Sequence, residues 1–187
     1  AASIQKVTED ILLKAAIYLK KKSGMRNLCM AGGVALNCVM NSRVKEKGPF
    51  ENIWVQPAAG DSGTALGAAV LVDINQRSGN RPQEMTHAYL GPEYSETEIE
   101  RVLKWTKTRY RRLSNVAKET AALLYKDKIL GWFQGRMEFG PRALGARSAI
   151  ASPLKVKMKD RLNDIKGRED FRPVAPSVLE EESGQWF

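Results

Sequence analysis

One histidine and two cysteines are all that the 187 residues offer as soft or borderline metal ligands. Cys29 and Cys38 alone exclude a disulfide scaffold and a four-cysteine zinc site. His87 alone excludes a histidine-rich metal centre built from this chain. Long apolar runs are also missing. The longest, about Ala65 to Val72, falls far short of the roughly 20 residues a membrane helix needs. The first residues mix polar and apolar types in a helical rhythm, unlike a secretory leader, so the expected compartment is the cytoplasm. There is no initial Met, and the chain stops at Gly184-Gln185-Trp186-Phe187. The expectation is a piece of a longer protein.

Acidic residues are scarce as well. Lys and Arg number 30 against 21 Asp and Glu, a net charge of +9. Residues 101–147 contain twelve Lys/Arg and only three Asp/Glu, so the whole excess is concentrated there. Such a concentration suggests an anionic ligand: a nucleic acid, a nucleotide or a phosphorylated small molecule. A solvated basic face is the plainer alternative.

What is present is a globular alternation of strands and helices. Ile4, Val7, Ile11, Ala15 and Tyr18 recur every three or four residues, which predicts a helix over 3–22 that stops at Ser23-Gly24. Leu28–Ala31 reads as a buried strand and Val34–Glu46 as a helix. Ile53–Val55 reads as a second strand, cut off by Pro57. A helix from about Gly63 to Gln76 is apolar on nearly every side, so burial is expected. Gly63 and Gly67 would let another backbone approach it. Gly79, Pro82, Gly91 and Pro92 mark a boundary within 78–94. Ser95-Glu96-Thr97-Glu98 matches a capping box opening a helix to Trp105. Beyond it we expect a strand at Tyr110–Leu113, a helix at Val116–Tyr125, and strands at Ile129–Phe133 and Ser148–Ala151. A helix at Leu154–Lys166 follows, then an extended stretch from Phe171 to Leu179 enforced by Pro173 and Pro176. The fold class is α/β. Two domains are expected, 1–90 (with the linker from about 78) and 91–187.

Four constellations could carry chemistry. Gly32-Gly33, between a strand and a helix, would expose backbone N–H groups to an anion, or simply make the turn. Pro57-Ala58-Ala59-Gly60-Asp61-Ser62-Gly63 places one carboxylate among small residues. Asp61 would either cap the next helix or face a metal or phosphate, and the two loops would line one cleft if their strands are neighbours. Residues 131–148 hold four glycines with Arg136, Arg142 and Arg147. Guanidinium groups bind phosphates bidentately, and Glu138 could orient an arginine or a substrate group. Last come Asn163 and Lys166, three apart on one helix face, with Arg168, Glu169 and Arg172 beyond; a salt-bridged helix end is the alternative there. Cys29, in an apolar strand, reads as core, and His87 as a linker residue.

The strings Met30-Ala31-Gly32-Gly33-Val34-Ala35-Leu36-Asn37, Pro57-Ala58-Ala59-Gly60-Asp61-Ser62-Gly63 and Gly67-Ala68-Ala69 resemble the ATP-binding half of the O-carbamoyltransferases. That family includes nodulation-type and antibiotic-modifying enzymes. Gln134 to Gly145, Arg147-Ser148, Asn163, Lys166, Arg168-Glu169 and Phe171-Arg172-Pro173 resemble its second domain. The resemblance implies the C-terminal part of an actin/hexokinase-like (ASKHA) domain followed by part of a YrdC-like α/β domain. It implies formation of carbamoyl adenylate from carbamoyl phosphate and ATP, then carbamoyl transfer to an acceptor hydroxyl of a sugar, oligosaccharide or antibiotic. It matches Gly32, Gly33 and Asn37, with Gly60 in the second loop, to nucleotide contacts. Arg136, Glu138, Arg142, Arg147 and Ser148 fall in the strip near carbamoyl phosphate and ATP, and Asn163, Lys166, Arg168 and Arg172 in the nucleotide-binding remainder. Asp61 matches one ligand of a divalent metal, usually iron, whose histidines lie outside this sequence. The 187 residues alone are therefore expected neither to hold the metal tightly nor to turn over. Two competing readings are a tRNA threonylcarbamoylation-type enzyme and a non-catalytic nucleotide-binding module. Neither a membrane nor a nucleic-acid partner is expected.

Overall fold

The structure, a computed structural model, describes residues 2–77 and 84–186. Gly79 and Pro82 of the expected boundary lie outside the described residues. The chain forms two compact units. One comprises Ala1–Gly91 together with Glu138–Arg142, and the other Pro92–Met137 together with Ala143–Phe187. Both mix helices with a short sheet.

The first unit opens with helix α1 (Ala2–Ser23). Strand β1 (Asn27–Met30) follows, then a 3-10 turn over Gly33–Leu36, helix α2 (Cys38–Lys47), strand β2 (Asn52–Val55) and helix α3 (Ser62–Gln76). β1 and β2 pair in parallel, with Met30 opposite Val55. α1 packs on α2, and Ala16, Val44 and Phe50 form a buried cluster against Leu12, Leu28 and Ile53. Strand side chains alternate between faces, so Leu28 and Ile53 turn to this core while Cys29 and its partner Trp54 turn away. Cys29 is consequently exposed, which corrects its reading as core.

Two further expectations change here. The helix expected over Val34–Glu46 is broken: Asn37 adopts extended backbone after the 3-10 turn, and α2 starts only at Cys38. The Asn37 side chain competes with helix continuation by capping α2 instead, accepting from the Met40 N–H at 3.1 Å. The apolar helix α3 has no buried residue among those described, and Leu71 is 61% exposed. Leu66 and Val70 are half-buried, and the N-terminal turn of α3 has a close backbone neighbour. A side chain at Gly63 would collide with the Ala58 carbonyl, whereas Gly67 faces open space.

The second unit holds helices α4 (Glu96–Trp105) and α5 (Val116–Tyr125) and strands β3 (Leu130–Phe133) and β4 (Arg147–Ile150). Helices α6 (Met158–Ile165) and α7 (Ser183–Trp186) complete it. β3 and β4 are antiparallel, with Phe133 opposite Arg147. The capping box of α4 is present in full. Tyr110–Leu113 is not a paired strand. Its side chains alternate as a strand's do, but they are held by charge. Tyr110 donates to Glu100 at 2.8 Å and Arg112 pairs with Glu96, both on α4. Arg111 pairs with Glu119 on α5. α6 starts at Met158, four residues later than expected, after turns over 153–157. Phe171–Leu179 carries no regular element, as Pro173 and Pro176 require.

Candidate functional site

The loops after β1 and β2 leave from the carboxyl ends of two neighbouring parallel strands. Open α/β sheets hold their ligands at that edge. The two loops are tied together: the Gly32 N–H donates to the Ala59 carbonyl at 2.7 Å, and the Leu36 side chain stands 3.8 Å from where a Cβ on Gly60 would be. Between them lies a cavity of about 270 Å³. Ala31, Gly32 and Gly33 line it from the first loop, and Gln56, Ala58, Ala59, Gly60 and Asp61 from the second, with Gly63 and Thr64 of α3. Pockets for drug-sized ligands run to roughly 300–1,000 Å³, so this cavity lies at the small end of that scale.

Asp61 stands exposed at the start of α3, and its side chain makes no capping hydrogen bond. The capping alternative is thus excluded in this geometry. The Thr64 hydroxyl instead donates to the Asp61 carbonyl at 2.6 Å. Among the described residues no three His, Cys, Asp or Glu side chains gather into a metal-binding group. Asn37 lies at the foot of the first loop with both ends of its amide engaged, the oxygen capping α2 and the nitrogen donating to Gln5 at 2.8 Å.

Residues 134–148 divide between the two units. Arg147 belongs to the second. Its guanidinium donates to the carbonyls of Gln134 (3.1 Å), Gly135 (3.1 Å) and Pro92 (3.4 Å). It also lies 3.5 Å from the centroid of the Phe133 ring. These contacts pin the turn that presents Arg136, which is exposed. The Ser148 hydroxyl accepts from the Gly145 N–H at 3.0 Å, closing the return into β4. Glu138 and Arg142 belong to the first unit. Glu138 is buried, and Arg142 donates to the Leu36 carbonyl at 2.5 Å.

The last constellation separates by burial. Asn163 is fully buried, while Lys166, just past the end of α6, is exposed. The Asn163 amide donates to the carbonyls of Asp170 (3.2 Å) and Arg172 (3.1 Å) and accepts from Arg168 Nε at 2.8 Å. Arg168 also reaches the Pro173 carbonyl at 2.8 Å. Arg172 pairs with Glu169. The Arg172 guanidinium beside Glu169 holds that carboxyl below its ordinary value. The sequence reading missed Gln56 and Thr64 as cavity residues. Thr64 stands three places beyond Asp61, a spacing that puts both on the first turn of one helix.

Comparison with known proteins shows which family the sequence resembles. The family model described as Carbamoyltransferase N-terminus matches residues 1–70, and that described as Carbamoyltransferase C-terminus matches residues 121–187. The chain belongs to the carbamoyltransferase family. It is 47% identical over its full length to the uncharacterized protein sll1178 of Synechocystis sp., covering 32% of that protein. It is 40% identical over its full length to the nodulation protein NolO of Bradyrhizobium diazoefficiens, covering 35%. A third relative, the nodulation protein U of the same organism, is 39% identical over the full length, with 32% covered. The chain thus spans about a third of the length of the curated relatives it matches.

Proposed function

We propose that the complete protein activates carbamoyl phosphate with ATP as carbamoyl adenylate and passes the carbamoyl group to an acceptor hydroxyl. The observation that carries this is the presence of both carbamoyltransferase family matches in one chain, at residues 1–70 and 121–187. Carbamoyl adenylate keeps only the α-phosphate of ATP, so the donor's own phosphate leaves with water as inorganic phosphate. A carbamate oxygen then attacks the α-phosphorus and expels pyrophosphate. The acceptor hydroxyl attacks the carbamoyl carbon, loses its proton, and AMP leaves.

Arg136, on its glycine turn, would face the phosphates of the first step, with Lys166 as a second cation. Fixed cations stabilise charge that develops on transferring phosphoryl groups. In the first unit, Gly32, Gly33, Gly60 and Asp61 would receive the adenylate. On this reading the domains are of the actin/hexokinase-like and YrdC-like kinds. Asp61 would contribute one ligand to a metal completed by residues outside this sequence.

Arg136→Ala in the complete protein should lower kcat/KM for pyrophosphate release by about tenfold to a hundredfold, the loss expected when a charged contact to the transition state worth ~1.4–2.8 kcal/mol is removed. Unchanged kcat/KM would remove Arg136 from the site. One observation favours an RNA-directed reading: Trp105 and Tyr125 stand exposed on the basic second unit. Exposed aromatics among cations can stack on bases. Salt-dependent binding of tRNA, absent in a Trp105→Ala, Tyr125→Ala double variant, would support that reading over a small-molecule acceptor.

A further inference from the structure

Residues 138–142 lie inside the stretch that matches the C-terminal family model, yet they pack in the first unit. We infer that this five-residue segment is a strap that holds the cavity of the first unit in shape, with Arg142 as a positioning residue and not a ligand of carbamoyl phosphate. Three contacts define the strap. The Phe139 N–H donates to the Ala88 carbonyl at 2.6 Å. Gly140 sits at φ +113°, against the backbone of the second cavity loop. A Cβ there would lie 2.6 Å from the Pro57 carbonyl oxygen and 3.2 Å from the Ala58 nitrogen, so both the conformation and the space demand glycine. Arg142 donates to the Leu36 carbonyl at 2.5 Å.

The third contact has a clear physical reason. Leu36 ends the 3-10 turn that begins at Gly33, and the last carbonyls of a helical turn lack partners within it. A guanidinium donor supplies a charge-assisted bond. The turn is thereby fixed at both ends: Gly32 is bonded to Ala59, and Leu36 to Arg142. The strap bears on both loops that wall the cavity, through Pro57 on one and Leu36 on the other. Loosening it frees Gly32 and Gly33 on one wall and Gly60 on the other, with no change to the side chains that line the site.

The test uses the complete protein with Arg142→Ala, Arg142→Lys and Gly140→Ala. Amide hydrogen exchange across residues 32–37 and 57–60 should accelerate at least tenfold in Arg142→Ala and Gly140→Ala. Exchange in β3 should stay as it is. Arg142→Lys, which keeps a cationic donor for the Leu36 carbonyl, should recover most of the protection. The kinetic arm rests on the carbamoyl-adenylate reading. In Arg142→Ala, kcat for pyrophosphate release should fall tenfold or more, because the first unit must consume the adenylate, with KM for carbamoyl phosphate within twofold. Unchanged exchange at 32–37 in Arg142→Ala would overturn the inference. So would a tenfold rise in KM for carbamoyl phosphate, the mark of a lost substrate contact. Pyrophosphate release absent from the unaltered protein would defeat the functional reading alone, and the exchange arm would still decide the strap.

Discussion

Asn163 organises the chain after α6 through a single side chain. Its amide makes three hydrogen bonds in full burial, two to carbonyls of the 170–172 loop and one from Arg168. Removing it takes the amide donor from both carbonyls and the acceptor from Arg168 Nε, while the bond from Arg168 to the Pro173 carbonyl remains. Asn163→Ala should therefore cost about 1–3 kcal/mol, read as a lower urea midpoint with an unchanged slope. Loss of stability below ~0.5 kcal/mol would mean that water replaces the amide at little cost. The sequence made Asn163, Lys166, Arg168 and Arg172 visible as a cluster, because their spacing and charge are local properties. It did not separate scaffold from free cation. That distinction depends on burial, which puts Asn163 inside and Lys166 outside. Arg147 illustrates the same limit: the backbone carbonyls of Gln134, Gly135, Ala146 and Pro92 and the Phe133 ring engage its guanidinium, and none of them could be assigned from composition.

Elements were most legible where the signal was local. The capping box of α4 is one such case. The Ser95 N–H and hydroxyl both donate to Glu98, at 2.8 and 2.7 Å, and the Glu98 N–H donates back to the Ser95 hydroxyl at 3.3 Å. Ser95→Ala should weaken α4 by about 1 kcal/mol, visible as faster amide exchange in its first turn. The two bonds from Ser95, side chain first, hold the Glu98 carboxyl below its ordinary value of 4.5. A carboxyl lowered in the folded state stabilises it at pH above that ordinary value. The contribution is lost as pH falls through the lowered one. Protection of the α4 amides should therefore decline at acid pH in the native sequence, and the decline should shrink in Glu98→Gln. An identical acid profile in that variant would contradict the assignment. Less legible were the elements that depend on distant partners. Asn37 carries a capping side chain that ends one helical stretch and starts another. Tyr110–Leu113 has the alternation of a strand, yet its neighbours offer carboxylates and not a backbone edge.

At a larger scale, the described residues of the first unit cover the β1–β2 sheet on the face of Leu28 and Ile53, and Leu71 and Val72 of α3 stay exposed. Parallel sheets are ordinarily covered on both faces. This explains why the burial expected for α3 and Cys29 was wrong: burial is a property of the neighbours present, and the chain spans about a third of its relatives. No described helix is long and apolar enough to cross a membrane. The charge distribution predicts a bulk property. With the entire +9 excess within 101–147, KM for ATP and carbamoyl phosphate should rise several-fold between low salt and ~0.5 M salt, where screening shortens to a few ångströms. A KM indifferent to salt would argue against cationic recognition of the phosphates.

The central claim is carbamoyl adenylation, and its most direct measurement is product release by the complete protein supplied with ATP and carbamoyl phosphate. The account predicts pyrophosphate and inorganic phosphate in equal amounts, each dependent on both substrates, with AMP following when a hydroxyl acceptor is added. ATP bound without any pyrophosphate, or pyrophosphate released equally well without carbamoyl phosphate, would contradict it.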